Sequence, residues 1–161
     1  MKVQDVMIPG VVTIDPWASL VDAAKHMREA NVGILPVVDD GKLRGVLTDR
    51  DIVVRAIAPH ADLSATQVGD CATPDPLCVH PDWDVDQARE IMARAQIGRL
   101  PVIADDYRLV GIVTLSSLAL RSQDDRETLE AAKQASRRSV KGATQPAAAK
   151  GRPTRQLKQT S

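Results

Sequence analysis

The chain says the same thing twice. Val3-Gln4-Asp5-Val6-Met7-Ile8-Pro9 is answered by Val68-Gly69-Asp70-Cys71-Ala72-Thr73-Pro74, an offset of 65 residues. The offset holds through Pro16 and Pro81, Ala23 and Ala88, Met27 and Met92, Gly33 and Gly98, and Pro36-Val37 and Pro101-Val102. One residue is then inserted, between Asp40-Gly41-Lys42 and Asp105-Asp106-Tyr107-Arg108. After it Gly45-Val46-Leu47-Thr48 matches Gly111-Ile112-Val113-Thr114 at an offset of 66. Two similar units can pair about a pseudo-two-fold axis. Such pairing creates a cleft seen by both halves, and function then turns on where the halves differ.

Each unit reads as strand, helix, strand, strand, helix. Val11 to Ile14 is a short β-rich run closed by Pro16. Ser19 stands three residues before Asp22, an N-cap signature, and Leu20, Ala23, Ala24 and Met27 follow at helical spacing. The helix is expected to end near Asn31-Val32-Gly33, with the glycine taking the left-handed C-cap conformation. Ile34 to Val38 is a continuous apolar run suited to a buried strand, and its Pro36 argues for an edge or for the start of pairing. Asp39-Asp40-Gly41-Lys42 is a turn, Leu43 to Leu47 the return strand, and Thr48-Asp49-Arg50-Asp51 opens a second helix. The second unit follows the same plan: Leu77 to Val79, a helix from Asp84, Leu100 to Ile103, Leu109 to Val113, and a helix from about Leu115. The expected fold class is therefore α/β, two pseudo-symmetric repeats of β-α-β-β-α, at residues 3–60 and 66–122.

The aromatic fraction is 2% with no Phe, so the core must be built from Val, Ile, Leu, Ala and Met. A formal net charge of zero hides a split. Residues 1–130 carry 13 basic against all 21 acidic residues, a formal −8, and the remaining 8 basic residues face no acid. An acidic body with a basic tail is expected. A further helix is expected over residues 123–138, and residues 139–161, poor in large apolar side chains, are expected to be a disordered basic tail. Lys150-Gly151-Arg152-Pro153 in that tail is similar to the core of minor-groove AT-hooks. No run approaches the roughly 18 apolar residues of a membrane span. The N-terminus has no signal-peptide pattern. Two cysteines are too few for a disulfide framework, so a cytoplasmic location is expected. Cys71, Cys78 and His80 lie close in sequence but lack an evident fourth zinc ligand, so no metal site is expected.

Gly33-Ile34-Leu35-Pro36-Val37 with Gly45-Val46-Leu47-Thr48-Asp49-Arg50-Asp51, and Gly98-Arg99-Leu100-Pro101-Val102 with Gly111-Ile112-Val113-Thr114-Leu115-Ser116-Ser117, resemble the two signature segments of the cystathionine-β-synthase (CBS) domain. A tandem pair is that family's usual unit, the Bateman module, and the resemblance spans roughly residues 3–122. It implies a non-catalytic sensor, expected to be a homodimer packed through its helices, that binds an adenosine nucleotide such as AMP, ADP or ATP, or a related adenosyl compound. The ligand would lie in a cleft between the repeats and regulate a separate target protein.

An adenosine nucleotide asks for a carboxylate that can accept from a ribose diol, and for cations and backbone N–H groups around its phosphates. The resemblance implies that Thr48 and Asp51 supply the phosphate-side hydroxyl and the ribose carboxylate. Thr-x-x-Asp is equally the pattern of a capping box that serves only its own helix. The resemblance also implies that Arg99 reaches across the repeats to the Asp51 cleft, so that one strong site is bordered by Thr13, Ile14, Pro16, Thr48, Asp51, Arg99, Leu100 and Pro101. Thr13 and Ile14 would offer backbone groups to adenine. A weaker cleft is expected at Ile34, Arg50, Thr114 and Ser117, because Ser117 replaces the aspartate and Ile34 the arginine. The alternative function is a nucleic-acid-associated protein acting through its basic tail, with the repeats as a dimerising scaffold.

Overall fold

The computed structural model describes residues 1–121 and 129–134. Its elements in chain order are α1 (Val3–Val6), α2 (Leu20–Ala30), β1 (Ile34–Asp39), β2 (Lys42–Thr48), α3 (Asp49–Ile52), α4 (Val68–Cys71), β3 (Thr73–Pro74), α5 (Val85–Ala95), β4 (Arg99–Ile103), β5 (Leu109–Thr114) and α6 (Leu115–Arg121). One turn of π-helix, Val53–Ile57, continues α3. Of the helix expected over 123–138, residues 129–134 are helical and the rest lies outside the described residues, as does the tail 139–161.

Helix α2 starts where Ser19 accepts the Asp22 N–H at 3.1 Å. It ends at Asn31, whose φ of 52° supplies the left-handed cap, and α5 ends in the same way at Gln96, φ 55°. The cap therefore falls two residues before the glycine expected to make it. Gly33 lies instead against the start of α3: a Cβ there would meet the exposed Asp49 side chain, Oδ2 at 2.8 Å, and the Gly33 carbonyl accepts the Asp49 N–H at 3.1 Å.

β1 and β2 form an antiparallel hairpin in which Ile34 faces Thr48 and Asp39 faces Lys42. Asp40 and Gly41 form its turn with φ of 50° and 73°, the all-positive geometry whose twist matches the strands it joins. β4 and β5 form the second hairpin, with Arg99 facing Thr114. The expected strands at 11–14 and 77–79 shrink to single parallel bridges, Ile14 to Val37 and Val79 to Val102. Each bridge explains a proline. Ile14 N–H donates to the Pro36 carbonyl at 3.0 Å, and its own carbonyl accepts from Val38 at 2.9 Å. Val79 treats Pro101 and Ile103 identically. The pattern takes nothing from the proline nitrogen, so its missing donor costs no bond.

The two cores do not follow the two repeats. The first buries Ile14, Leu20, Ala23, Leu35, Val37, Leu47, Ile52 and Ala56, but also Val68 and Cys71 from the start of the second repeat. The second buries Val79, Val85, Ala88, Met92, Leu100, Val102, Val113 and Leu118 together with Val3 and Val6 from the start of the first. Each crossing segment is fastened by backbone bonds. Val3 N–H donates to Trp83 O and Val85 N–H to Met1 O, at 2.9 and 3.1 Å. Val68 N–H donates to Ala18 O and Gly69 N–H to Pro16 O, at 2.8 and 2.9 Å. Beyond α1 and α4 the chain pairs with the far repeat's return strand, Ile8 with Ile112 and Thr73 with Val46. The hairpins also meet directly, through a Lys42 to Arg108 bridge.

Candidate functional site

The end of β2 delivers Thr48 to the mouth of α3, where it forms a reciprocal capping box. The Asp51 N–H donates to Thr48 Oγ1 at 3.1 Å. Asp51 Oδ2 accepts the Thr48 N–H at 2.9 Å and its hydroxyl at 2.7 Å. Thr48 and Asp51 therefore do serve their own helix. They do so through one carboxylate oxygen. The other, Oδ1, stands 3.6 Å from the Arg55 guanidinium, whose Nη1 donates to the Cys71 carbonyl at 2.9 Å. The Asp51 side chain is 16% exposed. A carboxylate has about four acceptor directions, so Oδ1 keeps capacity for a further donor.

The second repeat closes on itself at the matching place. The Ser117 N–H donates to Thr114 Oγ1 at 2.9 Å, Ser117 Oγ accepts the Thr114 N–H at 3.0 Å, and its hydroxyl donates to the Thr114 carbonyl at 3.0 Å. Ser117 is buried. Its hydroxyl proton is spent, and it has no second oxygen to offer. Replacing Asp by Ser thus removes a charge and also satisfies the cap without leaving an acceptor facing outward.

The strand registers place two of the other expected residues within their hairpins. Ile34 lies opposite Thr48, and Arg99 lies opposite Thr114. Within its hairpin each thus neighbours the Thr that caps its own repeat. Arg99 is exposed and has no hydrogen bond or ion pair among the described residues. Arg50, exposed on the first turn of α3, is placed beside the Asp51 cap by its sequence position. Leu100 is fully buried in the second core and Pro101 is buried beside it, so neither presents a side chain to solvent. Ile14 is also a core residue; its N–H is taken by the Pro36 carbonyl, and its carbonyl accepts from Val38 and keeps one lone pair. Thr13 is half-buried and lines an open concavity of about 250 Å³ where Gly10 and Val11 pass over Gly41 and Gly111; of the expected site residues it is the one found there. The Pro16 carbonyl holds the crossing segment through Gly69. Arg55 was missed by sequence reasoning. The signal was present, because Asp followed by Arg four positions later is a favourable helical pair.

Among the described residues no cluster of three or more His, Cys, Asp or Glu could hold a metal ion. Burial pushes the Cys78 thiol up to about 11 and raises that of Cys71 as well, so neither offers a ready thiolate near neutral pH. His80 instead faces Asp105 at 3.6 Å and packs on Trp83. No helix among the described residues is long and apolar enough to cross a membrane.

Two α/β repeats that exchange their leading segments, one capped by Thr48 and Asp51 and the other by Thr114 and Ser117, define a paired-repeat fold. The CBS domain model matches residues 3–57 and again 68–123, and the chain belongs to that family. It is 38% identical over 124 residues to the CBS domain-containing protein YhcV of Bacillus subtilis, covering 77% of this chain and 87% of that protein. Among solved structures, it resembles CBSX2 in complex with AMP at 30% identity and a TM-score of 0.66, covering 74% of this chain and 93% of that one. It also resembles the CBS domain pair of protein MJ0100 in complex with 5′-methylthioadenosine and S-adenosyl-L-methionine. That match has 30% identity and a TM-score of 0.66, and covers 74% of this chain and 94% of that one.

Proposed function

We propose that this chain is a non-catalytic regulatory module that binds an adenosine-type ligand at the Asp51 cap. The observation that carries the reading is Asp51 Oδ1, a carboxylate oxygen left over after its capping duties, set against a Ser117 that has nothing left over. A ribose diol donates to Oδ1. Thr48 borders the phosphate side, and the exposed Arg50 is the nearest cation in sequence. The ligands of CBSX2 and the MJ0100 pair, AMP and two adenosyl sulfur compounds, share the adenosine group and so support its recognition. Arg99, beside the Ser117 cap, serves the second cleft.

The module works as a homodimer on a separate protein target. Val53, Val54 and Ile57 present an exposed apolar strip on the helix that follows the cap, and a second copy covers it. Two free cysteines suit a reducing cytoplasm.

Calorimetry with AMP, ATP, S-adenosylmethionine and adenosine, with GMP as control, tests the reading. Arg50→Leu is expected to weaken AMP while leaving adenosine, which has no phosphate, nearly unaffected; Arg99→Leu is expected to change neither greatly. A selective loss of AMP in Arg99→Leu would restore the cross-repeat placement. Failure of every adenosine compound to bind would remove the ligand assignment.

A further inference from the structure

We propose that Arg55 is a positioning residue that couples occupancy of the Asp51 cap to the seating of the segment crossing over from the second repeat. The inference deepens the ligand reading above and rests on it. One guanidinium makes two contacts in different parts of the chain. Nη2 stands 3.6 Å from Asp51 Oδ1, the oxygen not used in capping, and Nη1 donates to the Cys71 carbonyl at 2.9 Å. Cys71 closes α4, so its carbonyl is one of those that a helix end leaves without an internal partner, and a cation is well placed there. Two residues further on the chain becomes β3 and lies along β2, Thr73 against Val46 and Pro74 against Gly45. Arg55 therefore ties the ribose-side carboxylate to the start of the strand that walls the same hairpin.

The π-turn places it there. Val53–Ile57 is wound as π-helix, whereas the described part of its counterpart, residues 119–121, is α-helical. Single π-turns recur at functional sites because they re-aim a side chain. The counterpart of Asp51 is Ser117, which has no charge, so this ion pair belongs to the first repeat alone. The coupling follows directly. A diol that donates to Oδ1 fixes the carboxylate in one orientation. The fixed carboxylate holds Arg55, and Arg55 holds Cys71. By linkage, the factor by which the ligand favours the seated segment is the factor by which seating that segment favours the ligand.

Hydrogen exchange on the full chain, with and without AMP at millimolar concentration, tests this on wild type, Arg55→Met and Arg55→Lys. Without ligand, Arg55→Met is expected to speed exchange in residues 68–74 while β4 and β5 stay as in wild type; unchanged exchange there overturns the tie. With AMP, wild type is expected to gain protection both at residues 45–52 and at 68–74, whereas Arg55→Met loses the second and binds AMP about fivefold or more weakly, the lower range of such couplings. Arg55→Lys is expected to recover only part, since an ammonium lacks the planar fork that spans two acceptors. Protection at 45–52 without 68–74 in wild type overturns the coupling and leaves the ligand reading standing. Absence of protection everywhere with AMP, and equally with ATP and S-adenosylmethionine, overturns the ligand reading and the coupling with it, and the ligand-free comparison then measures the Arg55 tie alone.

Discussion

The Asp51 carboxylate divides its labour between its oxygens, and that division separates two effects which a single truncation would merge. Oδ2 accepts twice from Thr48, so Asp51→Ala removes a capping partner and is expected to cost about 1 kcal/mol of stability. Oδ1 faces Arg55 and, on our reading, the ribose. Losing a hydrogen bond to a charged group costs about 1.5–3 kcal/mol, so the same variant is expected to lose that much binding energy for AMP. Asp51→Asn keeps an oxygen for Thr48 and loses the charge, so it should spare stability and still weaken the ligand. Ser117→Ala should do the opposite, because both hydroxyl contacts of Ser117 go to Thr114. Urea unfolding and calorimetry on the three variants check this. Equal loss of AMP affinity in Asp51→Asn and Ser117→Ala would end the idea that the halves differ as sites. The Thr-x-x-Asp spacing alone could not choose between cap and ligand contact, since both uses need the same residues; only the separate fates of the two oxygens distinguish them.

Glycines govern how closely the elements approach. A Cβ at Gly45 would lie 2.8 Å from the Thr73 carbonyl, and one at Gly111 would lie 2.8 Å from that of Ile8. Both obstacles are backbone of a crossing segment and cannot swing aside. Gly45→Ala and Gly111→Ala are each expected to destabilise the chain by about 1–3 kcal/mol, the usual cost of overpacking. Gly98→Ala is the control, because its Cβ would meet Leu115 at 3.5 Å, an ordinary contact. Chemical denaturation showing all three alike would mean that the crossing segments shift freely. These two glycines stand in the repeated motif and were legible as part of it, but their cause was not. That cause is a segment about 30 residues away in one case and about 100 in the other, and local pattern carries no record of it. The hairpins, the α2 cap at Ser19 and the turn at Asp40-Gly41 were legible because each is decided by neighbours within a few positions. The left-handed cap was misplaced onto Gly33 because Asn31 and Gln96 can also adopt positive φ, and composition favours the glycine.

At the scale of the molecule, the exchange of segments makes the two halves interdependent. The repeat in sequence suggests two units that could each stand alone, yet Val68 and Cys71 complete the first core and Val3 and Val6 complete the second. Nothing in the repeat pattern announces this, because a segment bears the same resemblance to its counterpart whichever core it enters. The consequence is thermodynamic. A chain of about 60 residues is already marginal, since it buries a smaller share of its surface than a larger domain. Cutting between the repeats would take buried side chains from both cores at once, together with the backbone bonds from Val3 to Trp83 and from Val68 to Ala18. Each fully buried aliphatic side chain is worth about 1.5–3 kcal/mol, so losing Val3 and Val6 from one core, or Val68 with the buried Cys71 from the other, removes a large part of the stability of a small unit. Fragments 1–60 and 61–161 are therefore each expected to show no cooperative thermal transition by circular dichroism, and to regain one when mixed in equal amounts. The intact chain is expected to melt in a single step, and saturating AMP, at about 100 times its dissociation constant, should raise the stability of that step by about 2.7 kcal/mol. A cooperative transition in fragment 1–60 alone would show that the first core closes without Val68 and Cys71, and that the crossing segments decorate two independent units.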